Sequence, residues 1–385
     1  MLGYIVYQRT LPVELLPAAP AVTEEVLPAG IPAPVQETKA PVPEATPEPT
    51  PEPTPEPEPE PEYFLISAIG DCTLTTHQKF SDEAYFSYAG RIKGDYKYPF
   101  ANTIQYFEND ELTIANLECT LSDDWLPANA AALFYFRAPK DYAQILIEGS
   151  VEFVNTANNH TEDFGSQGKE NTQAALREYG IPYGVDKQAQ VITTKSGIKT
   201  GIYTCYNNYY PDKKDCLEAI SQMKADGAEY IIMMFHWGKD EVYYTPHDDQ
   251  IELAHACIDA GANLVYGSHS HCLQPVEAYN GGYILYSMGN WSFGGSTTPK
   301  DSDTAIAQIT VKRDADGKIS NESINMVPCR VSSQTVDPLE HWNDFKPTPL
   351  EEGSEEYERA MSKLTGEYDG PDWNGDYSNW YSAWA

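Results

Sequence analysis

"VYGSHSHCLQP", residues 265–275, leaves the apolar run "ANLVY" through Gly267 and Ser268 and at once presents two imidazoles, His269 and His271. In a strand, residues i and i+2 point to the same face. The spacing therefore predicts that both rings converge just past a strand end, where open α/β sheets place their ligands. Neutral imidazole is a common metal ligand near pH 7. Taken alone, H-x-H fits a polar turn equally well, so the other ligands have to come from elsewhere in the chain.

Working outward, four more apolar runs end in groups able to bind metal. "YFLISAIGD" (63–71) ends in Asp71. "ELTIANLECTLS" (111–122) carries Asn116 and Glu118. "VEFVNTANNH" (151–160) ends in Asn159 and His160, and "EYIIMMFHWG" (229–238) carries His236. The patterns predict helices over 98–110, 139–150, 165–181, 216–228 and 247–262, and further strands over 200–206, 281–293 and 304–313. Strands alternating with helices predict an α/β fold with mainly parallel pairing, more antiparallel near the end. Parallel strands place their C-terminal ends on one sheet edge. Each polar residue has an ordinary explanation alone, as turn former, helix cap or core histidine. Together they need a partner for buried charge, and a cation supplies one. The metal-capable groups are Asp71, Glu118 with Asn116, the Asn159–His160 pair, His236, His269 and His271. Carboxylate, amide and imidazole donors suit one or two ions of Mn, Fe or Zn rather than Ca or Mg. The absence of cysteine from the set argues against a structural zinc site.

Composition sets the surroundings. The chain has 385 residues and a formal net charge of −33. Residues 40–62, "APVPEATPEPTPEPTPEPEPEPE", are a Pro/Glu repeat that predicts an extended, solvated segment. With residues 11–39, also poor in core-forming residues, this gives a disordered stalk over 1–62. A folded domain is expected over 63–330, then an acidic extension over 331–385 with Trp373, Trp380 and Trp384. So acidic a chain argues against nucleic acid or anionic membrane surfaces as partners. The start, "MLGYIVYQRT", reads as the outer end of a truncated membrane anchor. Anchor and stalk predict an extracytoplasmic protein at the cell surface. Seven cysteines occur without a C-x-x-C. Cys205 and Cys216 are spaced to pair, but small buried hydrophobes are the favoured reading. His255 is read as packing or surface, and His77, His247 and His341 as solvated.

Seven motifs in order carry a resemblance: "IGD" (69–71), "IANLECTLS" (114–122), "FRAP" (136–139), "TANNHTEDFGSQG" (156–168), "FHWGKDE" (235–241), "GANLVYGSHSHCLQPVE" (261–277) and "YSMGNWSF" (286–293). With them the chain resembles the CapA-type poly-γ-glutamate capsule synthesis proteins, a branch of the calcineurin-like metallophosphoesterase superfamily. The resemblance implies a four-layer α/β/β/α sandwich with the metal site along one sheet edge. It implies that Asp71 is the first-motif carboxylate, that Glu118 stands where a bridging aspartate is expected, and that Asn159 binds metal. It also implies that His160 faces the reacting oxygen, and Asn290 is brought to the site edge. His160 is then the expected proton donor, oriented by Asp163 or Glu162. Arg137, in the aromatic run "FYFRAP", is expected to hold a phosphate or carboxylate or else to stack on Tyr135. Two departures stand out. The superfamily's Asp-x-His is here Asp71-Cys72-Thr73, and "NLE" replaces its usual Gly-Asp pattern. The implied substrate is poly-γ-glutamate or another anionic polymer or phosphoester, and the implied partners are membrane synthase subunits. The alternative is a non-catalytic accessory subunit at the cell surface.

Overall fold

Side chains of the central strands alternate between two faces that are both buried, and this stacks the chain into layers. The computed structural model describes residues 60–370, except 80–83, 131, 207–209, 239–243 and 338–340. Most of the stalk, the anchor-like start and the three C-terminal tryptophans lie outside the described residues. The first strands are β1 (Glu62–Thr73), β2 (Leu112–Leu117), the short β3 (Thr120–Leu121) and β4 (Arg137–Ala138), β5 (Phe153–Asn155) and β6 (Tyr183–Gly184). Next come β7 (Gln188–Thr193), β8 (Lys199–Tyr206), β9 (Tyr230–His236), β10 (Leu264–Ser268), β11 (Val276–Tyr279) and β12 (Gly282–Leu285). The last are β13 (Asn290–Phe293), β14 (Asp303–Arg313), β15 (Ile319–Arg330) and β16 (Thr348–Pro349). One sheet has the order β16-β15-β14-β1-β2-β5-β6, with β13 also paired to β1, and the other has β11-β12-β10-β9-β8-β7. β1, β2, β5 and β6 run parallel, as do β8, β9, β10 and β12.

Side-chain alternation sorts the core into three apolar layers. Ile66, Ala68, Ile114, Ile232, Met234, Leu264 and Tyr266 meet between the sheets. Ile69, Ala115, Leu117 and Val154 point the other way, toward α1 (Tyr88–Ile92), α2 (Ala143–Glu148) and α3 (Gly165–Glu178). Ile231, Met233, Phe235 and Val265 point outward from the second sheet, toward α4 (Lys213–Ala225) and α5 (Asp248–Asp259). The result is the expected α/β/β/α sandwich. Among the described residues no helix is long and apolar enough to cross a membrane.

Four local expectations need correction. The helix expected over 98–110 is two 3-10 turns, Tyr98–Phe100 and Ile104–Tyr106. Thr103 breaks it, turning its hydroxyl onto the Phe100 carbonyl in competition with a helical bond. The strand expected over 281–293 is two strands in different sheets, because Gly289 takes a left-handed φ of 67° and the chain crosses from β12 to β13. The strand expected over 151–160 spans only Phe153–Asn155, and the Asn-Asn-His that follows is a loop. Finally, the acidic run after residue 350 holds a helix, α6 (Glu355–Thr365), capped by Ser354 with Glu355, Glu356 and Glu358 in its first turn. Those carboxylates suit the positive end of the helix dipole.

α6 docks through a buried ion cluster. Lys363 Nζ donates to both Asp301 oxygens at 2.9 Å and to Asp303 Oδ2 at 2.7 Å. Arg359 grips Asp303 at 2.8 and 2.6 Å. Lys363→Met would leave Asp301 buried without its cation and is expected to cost about 3–5 kcal/mol in urea unfolding. At the strand ends remote from His269, a second polar latch joins the sheets. Ser196 donates to the Glu111 carboxylate at 2.6 and 2.8 Å, and Lys195 Nζ donates to Glu152 at 3.1 Å and to the Asp110 carbonyl at 3.3 Å. The Asp110 carboxyl is pushed up to about 7, first by burial, against the Thr113 hydrogen bond. Its folded value then lies above its unfolded one, so the native state keeps a proton that the unfolded chain releases. Stability from this group therefore falls as pH rises from about 4 toward 7. Asp110→Asn is expected to flatten that decline, read as urea midpoints between about pH 5.5 and 7.5 against the parent chain.

Candidate metal centre

Register places a polar row across the first sheet. Asn290 on β13 stands beside Asp71 on β1, Asp71 beside Asn116 on β2, and Asn116 beside Asn155 on β5. From Asn155 to Asp71 the row is hydrogen-bonded. Asn155 Nδ2 donates to Asn116 Oδ1 at 3.1 Å, and Asn116 Nδ2 donates to Asp71 Oδ1 at 2.8 Å. Asn158 Nδ2 also donates to Asn116 Oδ1, at 3.1 Å. In the second sheet His236 and Ser268 are register partners at the ends of β9 and β10, with His236 Nδ1 and Ser268 Oγ 2.9 Å apart. The expected single sheet edge is thus two edges, one from each sheet, meeting where their parallel strands end.

Asp71 and Glu118 are both fully buried there, at 0 % exposure. Glu118 Oε1 lies 3.4 Å from His236 Nε2 and 4.0 Å from His160 Nε2. Asp71 Oδ2 lies 3.5 Å from His271 Nδ1 and accepts the His269 backbone N–H at 3.4 Å. Asn159 Oδ1 meets His236 Nε2 at 2.8 Å. Two sets of ligand atoms, Glu118–His236–His269 and Asp71–Glu118–His271, each lie within 4.8 Å of one another, and Glu118 belongs to both. The donor chemistry fits a divalent cation, because two carboxylates share a dry pocket with three imidazoles and no thiolate.

The pleat is not what aims the two closing histidines. β10 ends at Ser268, and His269 and His271 both adopt left-handed backbones, with φ 103° and 54°. Such conformations in residues other than glycine cost about 1–3 kcal/mol and persist only where the surroundings hold them. Here the His269 N–H is tied to Asp71, and His271 Nδ1 meets Asn290 Oδ1 at 2.9 Å. Electrostatics divides the imidazoles. Burial, helped by His269, His271 and His160, drives His236 well below the ordinary histidine value. Burial also works against charge on His271, but Glu118 and the hydrogen bond to Asp71 outweigh it and raise His271 to about 9. With no cation bound, the carboxylates draw a proton onto His271.

His160 sits just outside the ligand cluster. Its Nδ1 is 2.8 Å from Asp163 Oδ2, and that oxygen also accepts the Phe136 N–H at 2.7 Å. The Phe136 ring packs edge-on against the imidazole at 4.8 Å. Asp163, rather than Glu162, therefore holds the ring, and Glu162 pairs with Lys169 at 3.2 Å. Arg137 Nη1 donates to the Asp124 carbonyl at 2.7 Å, and the guanidinium lies over Phe164 rather than Tyr135. Thr73, where the superfamily carries its first histidine, donates its hydroxyl to the Glu118 carbonyl at 3.2 Å. Sequence reasoning missed Asn155, Asn158 and Ser268, whose only signal was a polar residue in or just after an apolar strand. It also misjudged His77, which is buried against Phe134, Tyr135 and Phe136 instead of solvated.

The chain is similar to known proteins in this region. It is 28% identical over 213 residues to the PGA biosynthesis protein CapA of Bacillus subtilis, covering 50% of this chain and 55% of that one. It is 26% identical over 278 residues to the capsule biosynthesis protein CapA of Bacillus anthracis, covering 65% and 64%. The chain thus spans about half the length of the first of these relatives. Among solved structures, the calcineurin-like phosphoesterase YfkN of Bacillus subtilis aligns with a TM-score of 0.43 and 13% identity over 71% of this chain and 92% of that one. The sequence model of the bacterial capsule synthesis protein PGA_cap family matches residues 65–294, which hold every predicted ligand. That match spans more than half of the chain, and the chain belongs to the PGA_cap family of bacterial capsule synthesis proteins.

Proposed function

We propose that this domain is a metal-dependent, hydrolase-type centre serving poly-γ-glutamate capsule biosynthesis at the cell surface. One observation carries the reading: Asp71 and Glu118, both fully buried, face His236, His269 and His271 at one rim, with His160 and Asp163 beside them. Asp71, Glu118, Asn159, His236, His269 and His271 would hold one or two ions of Mn, Fe or Zn. Such an ion supplies Lewis acidity toward a phosphoryl or carbonyl oxygen and makes water more acidic. The chain's own residues do the rest. Asn116 fixes Asp71 by hydrogen bond, and Ser268 engages Nδ1 of His236, so that its Nε2 is the nitrogen turned toward Glu118 and Asn159 and available to an ion. Asp163 holds His160 through Nδ1 and leaves Nε2 facing the cluster, where it can pass a proton to a leaving group. Phe136, Phe293 and Tyr206 pack on His160, His271 and His236 and restrict water at the rim. Arg137 spends Nη1 on the Asp124 carbonyl and keeps its other N–H donors for a phosphate or carboxylate of the substrate. The names of the relatives, a PGA biosynthesis protein and a capsule biosynthesis protein, support a capsule polymer as the substrate and a role at the cell surface.

One observation favours a second reading, an accessory subunit whose metal site is structural. Thr73 spends its hydroxyl on the Glu118 backbone, so the first motif brings no imidazole to the cluster.

The two readings separate by measurement. Protein purified with Mn, Fe and Zn available is expected to carry metal, counted by elemental analysis, and Glu118→Gln is expected to lose it. His160→Ala is expected to keep the metal and lose about 10²–10⁴-fold in turnover of p-nitrophenyl phosphates or γ-glutamyl peptides. Metal bound without turnover of either class would favour the accessory reading. Protein without metal would end the hydrolase reading.

A further inference from the structure

The contacts that dock α6 reach beyond the helix itself. Asp303, at the start of β14, is fully buried, and its carboxylate accepts from Arg359 Nε at 2.8 Å, Arg359 Nη2 at 2.6 Å and Lys363 Nζ at 2.7 Å. The Lys363 ammonium also lies over the rings of Tyr244 and Tyr368, at 4.6 and 5.1 Å. The backbone of the same aspartate borders the crossing between β12 and β13. A Cβ on Gly289 would lie 3.1 Å from the Asp303 carbonyl oxygen, 3.2 Å from the Cys272 carbonyl carbon and 3.3 Å from the Leu273 nitrogen. Gly289 is therefore packed between Asp303 and the residue that follows His271. Its carbonyl holds the Asp71 N–H at 2.9 Å, and its neighbour Asn290 meets His271 Nδ1 at 2.9 Å. Thr304, next to Asp303, donates its hydroxyl to the Met288 carbonyl at 3.1 Å, and Met288 in turn bridges to Leu273. Asp303, Arg359 and Lys363 all lie beyond residue 294, outside the stretch that matches the family model.

We propose that Arg359 and Lys363 are positioning residues for the metal centre: through Asp303 and Gly289 they hold Asp71 and His271 at ligand spacing. This rests on reading the rim as a metal site. Asp71 Oδ2 and His271 Nδ1 stand 3.5 Å apart, and His271 keeps a left-handed backbone that only its surroundings sustain. Without the two cations the buried Asp303 carboxylate would have to turn toward water. The start of β14 would move with it, and Gly289, packed on the Asp303 carbonyl, would follow. The shift falls on one of the two ligand sets. Asp71–Glu118–His271 takes two of its three members from the residues that Gly289 and Asn290 hold, whereas Glu118–His236–His269 takes none of its side chains from them. Outer groups that orient ligands set metal affinity as well as fold. The acidic segment after residue 350 thereby acts on a centre that it does not touch.

The test uses the full chain and its Arg359→Met variant. The Arg359 side chain is 41 % exposed, and its loss leaves Lys363 on both aspartates. Urea unfolding first fixes conditions in which parent and variant are both folded. In metal-free protein, the imidazole nitrogen signals of His271, assigned through His271→Gln, are expected to move in Arg359→Met, while those of His255 stay in place. Titration with Mn and Co is expected to show affinity about 10–100-fold weaker, with an altered visible spectrum of the bound cobalt. Arg359→Lys restores a charged donor and is expected to recover most of both. His271 signals like the parent's, or metal affinity like the parent's, would overturn the proposal and leave the cluster as a dock for α6 alone. A parent chain that binds no metal would end the metal-centre reading, and the metal-free signals would still decide whether α6 positions His271. Arg359→Met decides the matter even where Lys363→Met does not fold.

Discussion

Two carboxylates deprived of water, Asp71 and Glu118, are the constraint around which this molecule is arranged. Removing one carboxylate from water costs several kcal/mol, and two side by side repel each other as well. The fold answers with groups from both sheets. Asn116 and the His269 N–H donate to Asp71, and the imidazoles of His236 and His160 stand 3.4 and 4.0 Å from Glu118. No single sheet can do this, because neighbouring parallel strands present only one rank of side chains to a given edge. Stacking two parallel sheets with their C-terminal ends aligned gives a second rank, and His236 and His269 belong to it. The sandwich is thus a requirement of the site as much as its support.

That alignment depends on one stretch of backbone. Between β12 and β13 the chain passes from the second sheet to the first, wedged between Gly70 and Gly267. A Cβ on Gly70 would lie 2.1 Å from the Gly289 carbonyl oxygen, and one on Gly267 would lie 2.0 Å from that of Tyr286. With neither present, Asp71 N–H bonds to the Gly289 carbonyl at 2.9 Å and Met288 N–H to the Gly267 carbonyl at 3.3 Å. The crossing therefore stitches the end of β1 to the end of β10, and it delivers Asn290 beside Asp71 and under His271. The glycines in "IGD" and "YGSHSH" are there for backbone approach, and the histidines follow from where that approach leaves the chain.

Much of this was legible in the sequence because strands announce themselves by apolar runs and ligands by polar residues at the ends of those runs. Asp71, Glu118, His236, His269 and His271 were each found that way. What escaped was whatever depended on a partner distant in sequence. The apolar run 281–293 reads as one strand, since nothing local reveals that its two halves join different sheets. α6 hides in an acidic segment because its few buried residues, Ala360, Lys363 and Leu364, include a lysine that makes sense only against Asp301 and Asp303. The pleat rule gave the right destination for His269 and His271 by the wrong route, since a polar tether to Asp71 and Asn290 outweighs the local backbone preference. Cys205 and Cys216 are both free and buried, as the reading of small buried hydrophobes expected.

The charge of the chain limits how a polyanion can be held. A net charge of −33 repels polyglutamate at a distance, but at physiological salt that repulsion decays over about 8 Å. A polymer close to the rim therefore feels the local groups more than the total. At the rim those groups are the His160 ring, the Arg137 guanidinium and either the His271 imidazolium or, in its place, a cation held by Asp71 and Glu118. Attraction confined to so small an area, inside an acidic surround, favours brief engagement of a chain end or a single linkage over binding along the polymer's length. A surface that gripped the whole polymer would compete with its release. The acidity that counts against nucleic acid is therefore compatible with the proposed, local contact with an anionic polymer.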